Sequence, residues 1–353
     1  MKGFYKRNTS AAAARASGTR LSRASGFTLV ELMVSIILGL LLVAAAIQLF
    51  INGQVAYKVQ QAGATVQDNG VFGLSYMTQS IRLANYGNTG PMNDETLFGG
   101  IVLSGEQANS SPARDGNLNG MRINGSTTAI TTDDYLTANA KTSSAYGTAK
   151  SDQLVIMYQA PQDMQNCAGE NVTGPVKTMT SITRGQYVIE RYYIKKDGAN
   201  AVAALYCDAG IFSYNEADEI ARKSATGLNI PRYGTGGVMI ANNVEYMRVQ
   251  LMVRPTKTTT QIMPINTYKA LTITDAADAS GTTPATSKTY RPAITGINLG
   301  LLVRSTDKAG SNQGAKTYQV MDQSITAPDD GYIRNVYLTT IALRNGGLGE
   351  VIE

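Results

Sequence analysis

The chain has 353 residues, with 35 Gly, 19 Tyr, 6 Phe, no Trp and no His. That length leaves room for a core in one or two domains, the glycine count points to β-rich or loop-rich architecture, and the lack of His excludes His-based catalytic dyads and triads and removes the commonest metal ligand. The net charge of +5 is not a nucleic-acid signature, because Lys2, Lys6, Arg7, Arg15, Arg20 and Arg23 all lie in an acid-free stretch of 26 residues, and the overall +5 less that +6 leaves −1 for the rest.

After this basic flank, residues 27–51 read FTLVELMVSIILGLLLVAAAIQLFI, with Glu31 as the sole charge. About 20 apolar residues cross a bilayer as a helix, so the run predicts a membrane span. The positive-inside rule keeps the basic leader cytoplasmic and exports everything after the span. A signal peptide cut near Ala44–Ala46 and a plain anchor are the simpler readings. Glu31 argues against both, since a carboxylate near the start of an apolar run is costly and needs a partner. The string Gly26-Phe27-Thr28-Leu29-Val30-Glu31-Leu32-Met33 resembles the prepilin cleavage and methylation motif of type IV pilins and type II secretion pseudopilins. The resemblance implies a cut between Gly26 and Phe27 by the prepilin peptidase, N-methylation of Phe27, and Glu31 as the fifth residue of the mature chain. Glu31 would then pair with the Phe27 amine of a neighbouring subunit, a contact that sets register more than it adds stability.

Helical spacing continues beyond the membrane span. Val55, Val59, Ala62 and Val66, then Leu74, Met77, Ile81 and Ala84, recur at steps of three or four and predict an amphipathic helix. Asn52-Gly53 and Asn69-Gly70 are expected bends, and Tyr86-Gly87-Asn88 with Gly90-Pro91 is the expected stop. A helix over 27–84 would be about 87 Å long. Its face at 74–84 is expected to pack on the chain's own domain, and its face at 32–51 to need lipid or other subunits. The stretch at 67–86, QDNGVFGLSYMTQSIRLANY, with NLGLLVRS at 298–305 and YIRNVYLTTIALRN at 332–345, resembles minor pilins of the PilW type. The J-type pseudopilin of type II secretion shares that architecture and is the nearest alternative.

Past residue 90 the apolar runs are short. Strands are expected at Ile101–Leu103, Leu154–Tyr158, Tyr187–Ile194, Val238–Ile240, Val244–Val253, Ile297–Val303, Tyr318–Val320 and Val336–Leu343. The fold class these runs predict is α+β, and the resemblance implies that it is pilin-like: a long N-terminal helix, membrane-spanning in its first half, packed on a mainly antiparallel sheet with long loops at 104–150 and 255–290. The expected division is a leader at 1–26, a helix at 27–86 with its membrane segment at 27–51, and a periplasmic β-rich domain at 87–353. Two cysteines, Cys167 and Cys207, in an exported domain read as one disulfide. It would close a 40-residue loop and contribute about 4 kcal/mol in the chain-entropy model; two free buried thiols are the alternative.

Other motifs carry less. Asp115-Gly116-Asn117-Leu118-Asn119-Gly120 opens like a calcium loop, making Asp115, Asn117 and Asn119 candidate ligands, but residue 126 is Ser where the closing acid belongs. Asp133-Asp134 reads as a solvated turn and Lys195-Lys196 as a strand-edge pair. Arg82, Arg248, Arg304 and Arg334 are too scattered for a nucleic-acid face. No phosphate-binding loop or nucleophile elbow is present. No cofactor and no catalytic role are expected. The resemblance implies a minor pilin that primes or caps a type IV pilus and so supports twitching motility, adhesion and DNA uptake. Its partners would be the prepilin peptidase/N-methyltransferase, other minor pilins and the major pilin, the inner-membrane assembly platform, and the lipid bilayer before assembly. A tip adhesin or DNA-binding subunit is the reading from a different class.

Overall fold

The structure, a computed structural model, describes residues 26–106, 116–142, 144–146, 149–197, 202–224, 227–255, 259–271, 291–309, 314–344 and 346. The chain forms two compact units, residues 1–54 and 55–353. One helix, α1 (Leu29–Ile81, 53 residues), contributes to both.

In the first unit, Thr28 caps α1. The Glu31 amide donates to Thr28 Oγ1 at 3.2 Å and the Leu32 amide to the Thr28 carbonyl at 3.1 Å. Glu31 lies in the first turn, where a carboxylate suits the positive end of the helix dipole. Every residue from Leu29 to Gln54 is exposed.

In the second unit, α1 buries Ala62, Val66, Gly70, Gly73, Met77 and Ile81 at steps of three and four, one stripe of a 3.6-residue period. Docking therefore begins twelve residues before the expected Leu74. Neither Asn52-Gly53 nor Asn69-Gly70 interrupts the helix. It ends at Ile81, five residues before the expected stop at Tyr86. A turn over 82–87 then places Asn85 (φ 66°) and Gly87 (φ 83°) in the left-handed region, the usual way to leave a helix.

Two antiparallel sheets receive it. The first contains β1 (Ala138–Thr142), β2 (Ser151–Gln159), β3 (Tyr187–Lys195), β4 (Ala204–Phe212) and β5 (Val238–Ala241), in the order β5-β4-β3-β2-β1. The second contains β6 (Val244–Arg254), β7 (Gln261–Pro264), β8 (Ala293–Lys308) and β11 (Tyr332–Ala342), in the order β7-β6-β8-β11. Between β8 and β11 the hairpin of β9 (Lys316–Val320) and β10 (Gln323–Ala327) packs Val320 and Ile325 on Tyr246 and Leu302 of the second sheet. The main core joins Val66, Met77 and Ile81 of α1 to Leu154, Tyr192 and Leu205 of the first sheet and Val249, Leu299 and Leu301 of the second. A smaller core on the opposite side of the first sheet stacks Phe98, Tyr187 and Phe212.

The expected α+β class is the observed one, and the expected strands fall inside β2, β3, β5, β6, β8, β9 and β11. Ile101 makes only an isolated bridge to Ile156. Among the strands not expected, β4 is the longest, and its Asp208 and Gly210 break both alternation and apolar continuity. Asp208 is buried there as the partner of Arg191 (3.0 Å) and an acceptor for the Gly234 amide (3.0 Å). The stretch at 104–150 is more structured than a loop, since it holds β1 and the strand Met121–Ile123, which pairs in parallel with Leu228–Ile230. The described part of 255–290 holds β7 and a short helix, Ile265–Lys269.

Candidate functional site

The functional residues expected at the N-terminus sit on an uncovered helix. Gly26 has nothing within 4 Å of where a Cβ would project, and Phe27 is 78% exposed. An extended, side-chain-free Gly followed by an exposed apolar residue is accessible to a peptidase. Glu31 is exposed in the single chain. Ser35 Oγ donates to the Glu31 carbonyl at 2.7 Å, which engages the main chain of Glu31 and leaves its carboxylate available. An apolar helix surface of this extent is far larger than a soluble monomer tolerates and requires lipid or protein cover. By length and composition α1 is able to cross a membrane.

The docked half of α1 is held by shape and by polar contacts. A Cβ on Gly70 would clash with the Tyr337 ring of β11, so glycine permits the helix to lie directly on that side chain. Gly73 is less constrained: its Cβ would meet Ala241, Leu205 and Leu301 at 3.4, 3.6 and 3.7 Å. One turn further, the Tyr76 hydroxyl donates to the Cys167 carbonyl at 3.0 Å. Cys167 and Cys207 form the disulfide, with Cα atoms 6.1 Å apart. The bond ties the 160–186 segment to β4, where Cys207 lies opposite Tyr192 of β3.

Beneath this contact Glu190 of β3 is wholly buried. It accepts hydrogen bonds from the Cys167 amide (2.7 Å), the Tyr158 hydroxyl (3.0 Å) and the Tyr192 hydroxyl (2.8 Å), and Ser80 of α1 joins the same group. Burial pushes the Glu190 carboxyl above its ordinary range, and the donors oppose that shift. A strand, the disulfide loop and the helix thus converge on one carboxylate. Nothing in the local sequence YVIERYYI marks this role, because the donors come from positions as distant as Ser80 and Tyr158.

Two further buried acids act as hubs, Asp152 between the two sheets and Glu245 within the second. Asp152 of β2 accepts from the Val249 amide of β6 (2.8 Å), the Ala140 amide of β1 (2.9 Å) and Asn139 (2.8 Å), and faces Arg248 at 3.2 Å. Burial raises its pKa against the pull of Arg248. Arg248 also grips Asp322 in the β9–β10 turn, at 2.8 Å through Nε, and holds that carboxyl below its usual range. Glu245 of β6 binds Arg334 of β11 at 2.7 Å, lies 3.7 Å from Arg304 of β8 and accepts from Tyr146. Arg334 in turn forks onto Asp330 at 2.6 and 2.7 Å. Three of the four scattered arginines are therefore gathered on the second sheet and committed to carboxylates; Arg82 is exposed at the end of α1.

Asp115 lies outside the described residues. The Asn117 side chain is used within the fold: its Oδ1 accepts from the Leu103 amide at 2.8 Å and its Nδ2 donates to the Asn93 and Thr96 carbonyls, both at 2.8 Å. The Asn119 carbonyl accepts from Arg222. Asp133 and Asp134 bind Lys269 and Lys141, each at 2.8 Å, and Lys195 binds Asp197 at 2.6 Å.

Residues 191–345 match the family model described as type IV pilus-assembly protein W, and residues 21–47 match the prokaryotic N-terminal methylation motif. The two matches support a PilW-type type IV pilin. The two matched regions hold the GFTLVE string at one end and β4 through β11 at the other. No curated protein sequence matches the chain. Among solved structures, a type IV-like pilin from Thermus thermophilus is similar over 80% of this chain and 97% of its own, with 13% identity and a TM-score of 0.36. The matches support a pilus-related function, with an N-terminal segment suited to membrane anchoring and prepilin processing.

Proposed function

We propose that the chain is a minor pilin that takes part in priming or capping a type IV pilus, and that its role is structural rather than catalytic. In this reading the prepilin peptidase cuts between Gly26 and Phe27, removing the leader 1–26, and Phe27 is N-methylated. The segment 27–51 spans the inner membrane within the helix 27–86, and residues 87–353 face the periplasm. On assembly Glu31 pairs with the Phe27 amine of a neighbour, a registry contact inside an apolar bundle. Twitching motility, adhesion and DNA uptake would depend on the chain through the pilus.

The observation that carries the reading is a single helix with one half docked on its own sheets and the other uncovered, headed by a capped Glu31 five positions after Gly26. The engagement of Arg248, Arg304 and Arg334 with carboxylates favours an assembly role over a DNA-binding one. The test is co-expression with a prepilin peptidase, intact mass measurement, and recovery from sheared pili. Loss of residues 1–26 plus one methyl group is expected, and Glu31→Ala should be cleaved normally yet enter filaments poorly. Normal incorporation of that variant would remove the registry role; an uncut chain would remove the prepilin reading altogether.

A further inference from the structure

The two main sheets end in four edge strands, and three of them are guarded. β1 and β5 are short and carry register shifts, and β7 has four residues and ends in Pro264. Short, bulged or proline-bearing edges are how sheets avoid pairing with other chains. β11 differs on every count. It has 11 residues, pairs with β8 without a shift from Arg334↔Arg304 to Ala342↔Gly296, and has no charge or proline from Asn335 to Leu343.

Its free side can be read from its bonds. The Leu343 amide donates to the Thr295 carbonyl, which turns odd-numbered residues toward β8 and even-numbered ones outward. The Val336 amide, accordingly outward, is closed by the Asn335 side chain at 3.0 Å. Beyond it the outward amides and carbonyls of Leu338, Thr340 and Ala342 meet no other strand among the described residues. Leu338 is 57% exposed, and Thr340 and Ala342 are exposed with it.

We propose that the free edge of β11 at Leu338–Ala342 is a docking site for an extended, uncharged strand of a different pilus subunit, added to the second sheet by β-augmentation. Alternating main-chain donors and acceptors recognise an extended backbone and nothing else of comparable size, and the absence of edge charge favours a neutral strand. Self-pairing of β11 in two copies would be two-fold and closed, whereas a filament is built from heterologous contacts; the choice of a different subunit rests on the filament reading above.

The test uses the full chain. In purified protein in detergent micelles, the amides of Leu338, Thr340 and Ala342 should exchange with solvent at least about tenfold faster than those of Tyr337, Thr339 and Ile341. Equal protection would mean the edge is already occupied and would overturn the proposal. In piliated cells, Leu338→Lys and Thr340→Pro should each lower recovery in sheared pili by about tenfold, the effect of losing one or two net hydrogen bonds. Met239→Lys, on the guarded β5 edge, should assemble like the parent. A photo-crosslinker at position 338 should mark an extended segment of another subunit. Parent-like assembly of both edge variants, or crosslinks to helix, lipid or position 338 of a second copy, would overturn the edge role while leaving the filament reading intact. Absence of the parent chain from pili would remove both.

Discussion

Gly70 and Gly73 sit one turn apart on the same buried stripe of α1, and replacing each by Ala should move stability in opposite directions. Ala is favoured over Gly in a helix interior by about 1 kcal/mol, so each substitution begins with the same gain. At position 73 the new methyl meets Ala241, Leu205 and Leu301 at 3.4–3.7 Å, ordinary contact distance, and Gly73→Ala should stabilise by about 0.5–1 kcal/mol. At position 70 the methyl would clash with the Tyr337 ring, closer than any carbon contact allows. Displacing a packed ring or separating helix from sheet costs about 1–3 kcal/mol, so Gly70→Ala should be net destabilising by up to about 2 kcal/mol after the helix gain is subtracted. Urea unfolding of the full chain in micelles, followed by far-ultraviolet circular dichroism, measures both. A Tyr337→Ala background isolates the cause: without the ring, Gly70→Ala should behave like Gly73→Ala. If Gly70→Ala is as stable as the parent while Tyr337 is present, close approach is not why glycine occupies that position.

Removing Glu190 as Glu190→Ala leaves buried donors from Cys167, Tyr158 and Tyr192 unpaired and should cost about 3–5 kcal/mol at pH 7. Its folded pKa is raised by burial. As pH rises from the ordinary Glu value through the folded one, the native state holds a proton that the unfolded state has lost, so this group's contribution to stability falls across that window and then levels. Asp322 and Asp330, held low by Arg248 and Arg334, act in the opposite sense at lower pH. The comparison is therefore parent against Glu190→Gln in thermal melts across pH, and a variant with the parent's profile would show that Glu190 does not titrate on folding. Arg334→Ala strands the buried Glu245 and should cost about 3–5 kcal/mol, with unfolding as the measurement; a loss well under 1 kcal/mol would mean that the pair is solvated.

The parts of the molecule legible in the sequence are those governed by local periodicity or a contiguous motif. The apolar run, the prepilin string, the 3.6-residue stripe and strands such as LVIMY and VEYMRVQLMV all announce themselves within ten or twenty residues. What was not legible depends on partners distant in sequence. β4 reads poorly because Asp208 looks like a surface residue until Arg191 is beside it. Gly70 reads as a helix breaker until Tyr337, 267 residues later, is placed beneath it. The arginines read as scattered until β6, β8 and β11 bring Arg248, Arg304 and Arg334 onto one sheet, within reach of Asp152, Glu245, Asp322 and Asp330.

The two halves of α1 use different physics, and the difference bears on how a subunit is positioned. The docked half is specified by contacts that tolerate no rotation: Gly70 against a ring, Tyr76 on the Cys167 carbonyl, and Ser80 on the Glu190 group. Shifting the helix by one residue would break all three, so this half has one register on its sheet. The exposed half offers Leu, Ile, Val and Ala side chains that pack on lipid or on other apolar helices with little preference. Within its apolar stretch, residues 27–51, Glu31 is the sole ionisable side chain. On the proposed reading, any information about where a neighbour sits along the helix bundle must therefore come from Glu31 and the Phe27 amine that cleavage creates. Apolar packing sets how strongly the helices associate, and one charge pair, costly to leave unmade in an apolar interior, sets their stagger.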